Sequence, residues 1–146
     1  MKNKLNDLIR RESILDLPDE MLNIFIKLYC SNFKCDENSI DNIDPFKIAF
    51  ACDAAYELIL NFCHIDELPR ELYYFWAKKS FSEFLISSVS RLDNLDDIDR
   101  DRAVKRLQEG DVSIEYDTDD SKSIALSLAD YYGLWGEAIR FRKLVW

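Results

Sequence analysis

The stretch Pro69-Arg-Glu-Leu-Tyr-Tyr-Phe-Trp-Ala-Lys-Lys-Ser-Phe-Ser-Glu-Phe-Leu-Ile-Ser-Ser-Val-Ser-Arg-Leu92 decides the fold class of this 146-residue chain. It opens with a proline, which fits the first turn of a helix, and its large apolar side chains recur at helical spacing. The pattern therefore predicts a helix from Pro69 to about Leu92, and Tyr73 and Tyr74 are expected to belong largely to its core side. The apolar stripe consists of Leu72, Phe75, Trp76, Phe84, Leu85 and Val89.

Two further core helices are predicted before this one. The nearer begins at Asp44-Pro45 and is apolar nearly all round, which is typical of a central helix covered on several sides. Its apolar residues are Phe46, Ala49, Phe50, Tyr56, Ile59, Leu60 and Phe62. The earlier one begins near Pro18, with Asp16 or Leu17 as its cap and two acids at the positive end of the helix dipole, and it ends near Phe33. Its apolar face comprises Met21, Ile24, Phe25, Leu28 and Tyr29.

The remaining segments are shorter or less regular. A short amphipathic helix is predicted over Leu5 to Ile14, and the polar stretch from Cys35 to Asp44 is predicted to be a loop. The charged stretch from Arg91 to Arg102 is predicted to be a loop or a frayed helix end. A last helix runs from about Ser121 to Ile139, with Asp120 or Ser121 as its cap. Gly133 and Gly136 interrupt it, so a kink or a close approach to a neighbour is expected there.

Residues 104 to 116 contain the one predicted strand. Val112, Ile114 and Tyr116 alternate with polar residues, which is the period of a strand with one buried face. Gly110, between Glu109 and Asp111, is either the turn of a hairpin or the C-cap of a preceding helix. The predicted fold is thus mainly α, a single domain over 1–146 built as a bundle of four to five helices with one β-hairpin.

Charge limits the classes of partner. The chain has 28 acidic and 19 basic residues and a formal charge of −9, so a broad phosphate-binding surface is not expected. No apolar run approaches the length of a membrane span, no signal peptide is recognisable, and the expected location is the cytoplasm. The last seven residues, 140–146, hold three basic side chains and no acidic one. They form a basic, aromatic tail on an acidic chain.

Catalytic and metal-binding chemistry finds little support in the sequence. The chain has four cysteines and a single histidine, His64, placed at a predicted helix end. Cys52 and Cys63 lie eleven residues apart, about 16 Å along a helix, which is too far to share one ion. Free cysteines are predicted. Paired aspartates at 96–97 and 119–120 are expected to be solvated, and the three glycines are isolated, so no phosphate loop is present. No enzyme activity, cofactor or metal is predicted.

The segment Val104-Lys-Arg-Leu-Gln-Glu-Gly-Asp-Val-Ser-Ile-Glu-Tyr116, followed by the terminus Arg140-Phe-Arg-Lys-Leu-Val-Trp146, resembles the tailed-phage head-tail connector family. These adaptors are also called head-completion proteins. The resemblance favours the hairpin at Gly110. It also implies a ring of twelve copies that docks on the portal protein after DNA packaging, extends the DNA channel and offers a surface to the stopper or tail-completion protein. DNA would pass without sequence-specific binding, and the protein would lie in the virion neck, between capsid and tail, after assembly in the host cytoplasm.

The resemblance assigns two contact regions. The docking tail would insert into the portal through Arg140, Phe141, Arg142, Lys143, Leu144 and Trp146. The hairpin would contact a neighbouring subunit or the next ring through Glu109, Gly110, Asp111, Val112, Ile114 and Tyr116. Trp146 is expected to be an interface residue, because Trp and Arg are common interface hot spots. The alternative is that it packs into a groove of its own chain.

Two other functions fit the composition. One is a small acidic interaction module that self-associates at low order. The other is an acidic DNA mimic that inhibits a host protein, which requires a contiguous acidic face.

Overall fold

The computed structural model describes residues 2–33, 44–90, 98, 99, 101, 105, 121–136 and 138–142. Within these ranges the protein is mainly α-helical, as predicted. Five α-helices are delimited there, namely α1 (Lys2–Glu12), α2 (Asp19–Asn32), α3 (Pro45–Cys63), α4 (Tyr73–Ser90) and α5 (Ser121–Tyr132). Two short 3-10 helices, η1 (Arg70–Leu72) and η2 (Ile139–Phe141), precede α4 and follow α5. The predicted hairpin and most of the charged stretch 91–102 lie outside the described residues.

Helix α4 occupies the centre of the bundle and packs against α2, α3 and α5. Aromatic rings fill its contact with α2. The Phe25 ring meets those of Phe81 and Phe84 edge to face, with centroids 5.8 and 5.9 Å apart. Lys79, Ser80, Ser82 and Ser88 of α4 are also buried, so α4 is enclosed even on its polar side. The central helix is therefore α4, whereas the sequence pattern assigned that place to α3.

Helix α3 begins and ends with clear capping structures. The Asp44 carboxylate accepts a hydrogen bond of 3.0 Å from the backbone N–H of Phe46, with Pro45 in the first turn. His64 ends the helix in the left-handed region at φ 55°, where it is exposed. The expectation that α3 is covered on several sides is wrong at its N-terminal half. Phe46 and Phe50 are 54% and 55% exposed, because no described element packs over that side of the helix.

Helix α1 is attached to α2 and to the turn between them by polar contacts. The buried Asn6 amide donates to Asn23 over 3.1 Å, and Arg10 donates to the Leu17 carbonyl over 2.8 Å and contacts the Asp19 carboxylate. Helix α2 begins at Asp19 with Pro18 as its cap. The predicted cap at Asp16 or Leu17 is thus one or two residues too early, because the Pro18 carbonyl accepts the first hydrogen bond of the helix, from the N–H of Leu22.

The last predicted helix is shorter than expected. Helix α5 ends at Tyr132, and the segment toward Ile139 turns away from the helix axis before η2 begins. The Tyr132 hydroxyl accepts a 3.0 Å hydrogen bond from the buried Asn32 amide, which links α5 to the end of α2. An isolated antiparallel bridge between Phe33 and Ile98 extends this junction. None of the helices in the described ranges has both the length and the hydrophobicity needed to cross a membrane.

Candidate functional site

The site lies where the chain leaves α5 and runs toward η2. The Gly133 N–H donates to the Ala129 carbonyl over 2.9 Å, which closes the end of α5. The Ser82 hydroxyl of α4 donates to the same carbonyl over 2.7 Å. A Cβ at Gly133 would lie 2.9 Å from that hydroxyl oxygen, so glycine permits the close approach of α4. The close approach expected from the sequence is confirmed at Gly133, whereas a Cβ at Gly136 would meet nothing within 4 Å.

Trp135, two residues after this turn, packs between side chains of α3 and α4. Its ring stacks on Phe62 with centroids 4.4 Å apart and contacts Phe75 at 5.6 Å. The Lys79 ammonium lies 4.1 Å from the centroid of the Trp135 ring and donates to the Gly133 carbonyl over 3.1 Å. Burial lowers the pKa of Lys79, and the charge of Glu83 opposes that shift. Desolvation of the lysine therefore outweighs its nearby carboxylate.

The segment from Ala138 to Arg142 packs beside the same aromatic rings. Ala138 is fully buried, and its carbonyl accepts a hydrogen bond from the Cys63 thiol with a sulfur to oxygen distance of 3.6 Å. Phe141 packs against the core, and the Arg142 guanidinium carbon lies 4.9 Å from the centroid of the Phe62 ring. Burial raises the pKa of the Cys63 thiol, and the positive charge of Arg142 opposes the shift. We call Phe62, Lys79, Trp135 and Arg142 the tail-base cluster.

The predicted contact residues are only partly described. Arg142 belongs to the tail-base cluster, Phe141 packs against the core, and the backbone of Arg140 belongs to η2. Lys143, Leu144 and Trp146 lie outside the described residues, as do all the predicted hairpin contacts from Glu109 to Tyr116. Sequence analysis did not identify Lys79 or Trp135 as part of this site. Trp135 stands between two glycines, and this was the available signal that the helix ends there. The sequence prediction instead put Trp135 on one face of a continuing helix.

A pocket lies on the other side of the turn that follows α5. It has a volume of about 390 Å³ and is lined by Leu28, Tyr74, Lys78, Tyr131, Tyr132, Leu134 and Gly136. The Lys78 ammonium lies 5.0 Å from the centroid of the Tyr74 ring, and Tyr74 and Leu134 are exposed at 52% and 63%. The lining thus combines tyrosine rings, an aliphatic side chain from each of two elements and a lysine.

Cysteine and carboxylate chemistry adds no further site in the described ranges. No disulfide joins any two of Cys30, Cys52 and Cys63, the cysteines that the structure describes. Burial raises the pKa of Cys52 to about 12, with the Ser80 hydroxyl opposing and the charge of Asp53 adding to the shift. No group of three or more His, Cys, Asp or Glu residues in the described part of the chain is arranged to hold a metal ion.

The chain matches none of the protein-family models, curated proteins or solved structures with which it was compared. Its function is therefore inferred from its sequence together with the geometry of the tail-base cluster and of the exposed apolar surfaces.

Proposed function

We propose that this chain is a structural, non-enzymatic subunit of a phage head-tail connector ring. Twelve copies would dock on the portal after DNA packaging, extend the DNA channel and bind the stopper or tail-completion protein in the virion neck. The observation that best supports this proposal is the tail-base cluster. It holds Arg142, which belongs to the basic and aromatic segment 140–146, over the Phe62 ring that stacks on Trp135.

A fixed origin matters for a peptide that binds in a cleft of another protein. Every residue that is already ordered before binding reduces the entropy lost on association. The buried Ala138, the packed Phe141 and the Arg142 guanidinium over the Phe62 ring restrict the chain up to residue 142. Portal contacts through Phe141 and Arg142 would therefore start from side chains that are already positioned on the bundle.

The remaining elements of the proposal rest on sequence. The hairpin around Gly110 would contact a neighbouring subunit or the next ring, by strand addition through Val112 to Tyr116. Twelve copies at −9 each would give the ring a formal charge of about −108. Where that charge faces the channel, it would repel DNA from the wall and let it pass without specific binding.

The proposal is tested by mixing the protein with the portal ring encoded in the same genome and weighing the particles by mass photometry. Twelve subunits of 17.2 kDa would add about 206 kDa to the portal. A shift of that size is expected for the full chain. It should be lost when residues 140–146 are deleted and weakened by Arg142→Glu.

The matched control is Arg11→Glu, an exposed basic residue on α1. It makes the same change in net charge away from the tail and should leave the mass shift intact. An unchanged portal mass with folded protein would overturn the connector proposal. Equal losses for Arg11→Glu and Arg142→Glu would show that net charge, and not the tail, governs binding.

One observation favours the small interaction module as a second candidate. Phe46 and Phe50 expose two aromatic rings on adjacent turns of α3, with centroids 6.4 Å apart. Such a patch is typical of a protein-binding surface. A module of this kind would form small complexes and leave the portal ring unchanged in the same experiment.

A further inference from the structure

The 3-10 helix η2 and the residues that flank it present two different sides. Phe141 and Arg142 each donate a backbone hydrogen bond of 3.0 Å to the carbonyl three residues earlier, of Ala138 and Ile139 respectively. In this geometry, side chains three residues apart lie on the same side of the chain. Ala138 and Phe141 face the bundle, where Ala138 is fully buried and Phe141 packs against the core. Ile139 and Arg142 face solvent, and Ile139 is 60% exposed.

Arg142 is held on this outer side without being neutralised. Its guanidinium carbon lies 4.9 Å from the centroid of the Phe62 ring, within the range of a cation–π contact. No carboxylate of the described residues forms a salt bridge with it, whereas Arg10 and Arg70 are each paired with acidic side chains. The charge and the N–H donors of the Arg142 side chain can therefore bind a group from another molecule.

The surroundings of the guanidinium indicate what kind of group it would bind. Contact with the Phe62 ring restricts the arginine side chain, so less conformational entropy is lost when it binds a ligand. The N–H groups of a guanidinium form a planar fork that fits the two oxygens of a carboxylate. The exposed Ile139 side chain, on the same side of η2, offers an apolar contact beside that carboxylate.

We infer that Ile139 and Arg142 form a binding site for a segment of a partner protein in which an acidic side chain stands next to an aliphatic one. The carboxylate would bind the Arg142 guanidinium, and the aliphatic side chain would pack on Ile139. A phosphate group suits the site less well. It would leave the Ile139 contact unused, and the net charge of −9 on the chain opposes the approach of a dianion.

This site goes beyond the connector proposal, because it concerns the chemistry that Arg142 binds and not the protein that supplies it. Its test needs only the free chain. A portal ring that fails to bind would overturn the connector proposal and leave the site intact. A site that fails to bind an acidic peptide would leave portal docking to other residues of the tail.

The test is an NMR titration of the isotope-labelled full chain with the peptide N-acetyl-Leu-Glu-amide at constant ionic strength. The Ile139 methyl signals and the Arg142 side-chain N–H signal should shift together and saturate, with a dissociation constant on the order of 1–10 mM for so small a ligand. N-acetyl-Leu-Gln-amide has the same size without the charge and should bind at least about tenfold more weakly. N-acetyl-Gly-Glu-amide, which lacks the aliphatic side chain, should bind about threefold more weakly.

Two variants locate the binding. Arg142→Gln should abolish the peptide-induced shift at Ile139. Arg11→Gln is the matched control, because Arg11 is also exposed but has no ring of the described residues beneath it. It should leave the titration unchanged, and the Arg11 side-chain signal of the unmodified chain should not saturate. The amide spectrum of each variant checks that the fold is retained.

Several outcomes would overturn the site. Equal shifts with the Glu and the Gln peptide would show that no carboxylate is bound, and this comparison needs no variant. A shift at Ile139 that persists in Arg142→Gln would exclude Arg142. Equally strong binding at Arg11 would show that the Phe62 ring and Ile139 add nothing to an exposed arginine. Inorganic phosphate that binds more tightly than the Glu peptide would overturn the class of ligand.

Discussion

The Lys79 ammonium lies 4.1 Å from the centroid of the Trp135 ring and also donates to the Gly133 carbonyl. Lys79, a residue of the central helix α4, thereby contacts both the turn after α5 and the ring of Trp135. Trp135 in turn stacks on Phe62, the ring beneath Arg142. The position of the tail base therefore depends on side chains from α3 and α4, which are distant from the tail in sequence.

Trp135→Ala should destabilise the protein by about 2–3 kcal/mol, because it removes the ring that joins Phe62, Phe75 and Lys79. The measurement is urea unfolding followed by circular dichroism. Leu134→Ala is the control, since the neighbouring side chain is 63% exposed and its loss should change the free energy of unfolding by less than about 0.5 kcal/mol. Equal effects of the two substitutions would contradict the structure of the tail-base cluster.

Gly133→Ala should cost about 1–3 kcal/mol, because its Cβ would lie 2.9 Å from both the Ser82 hydroxyl oxygen and the Ala129 carbonyl oxygen. Those two atoms are hydrogen-bonded to each other, so neither can move away without loss. Gly136→Ala serves as the comparison, because a Cβ there meets nothing within 4 Å. Thermal unfolding of both variants should show a clearly lower midpoint for Gly133→Ala. A ranking in the opposite order would refute the close approach of α4.

Arg10→Ala should cost about 1–2 kcal/mol, chiefly because it leaves the Leu17 carbonyl without the 2.8 Å hydrogen bond from Arg10. The contacts with Asp7 and Asp19 add less, since both carboxylates are mostly exposed. Arg11→Ala, one residue later on an exposed side of α1, should change stability by less than about 0.5 kcal/mol. Chemical denaturation of the pair measures the difference. An Arg11 effect as large as that of Arg10 would count against this attachment of α1.

The Cys52 thiol should make the protein less stable as the pH rises above 9. Its pKa is raised from 9.0 to about 12 by burial, so between these values the unfolded chain loses a proton that the folded chain retains. Proton release then favours unfolding. The stability advantage of the wild type over Cys52→Ala should shrink by about 1.4 kcal/mol between pH 8 and pH 10. A difference that stays constant over this range would show that the thiol titrates normally in the folded protein.

Helix positions were predictable because their signals are local. Asp44-Pro45 and Pro69 mark the starts of α3 and of the η1–α4 segment, and the three- and four-residue spacing of apolar side chains marks their faces. The end of α5 was not predictable in the same way. Tyr131, Trp135 and Ile139 continue a helical spacing, yet the chain turns at Gly133 because α4 approaches there and Lys79 binds its carbonyl.

The contacts of the candidate site could not be predicted from the sequence. The basic and aromatic character of the tail predicted Phe141 and Arg142 as portal contacts, which stays a prediction. The structure shows Phe141 packed against the core of its own chain and Arg142 over the Phe62 ring. Lys79 and Trp135 were missed because their pairing joins residues more than fifty positions apart, and no local pattern records such a contact. The exposure of Phe46 and Phe50 was missed for the same reason, since hydrophobicity alone does not say which side of a helix is covered.

The sequence by itself determined that this protein is a helical bundle, roughly where α2, α3 and the η1–α4 segment begin, and that its last residues are basic and aromatic on an acidic chain. These properties follow from proline placement, residue spacing and charge, which act within a few residues. Only the tertiary structure decided that α4 is the central helix, that α3 keeps an exposed aromatic face, and that Trp135 leaves the helix to hold the base of the tail. These outcomes depend on the packing of side chains brought together from separate helices, and burial is determined by that packing.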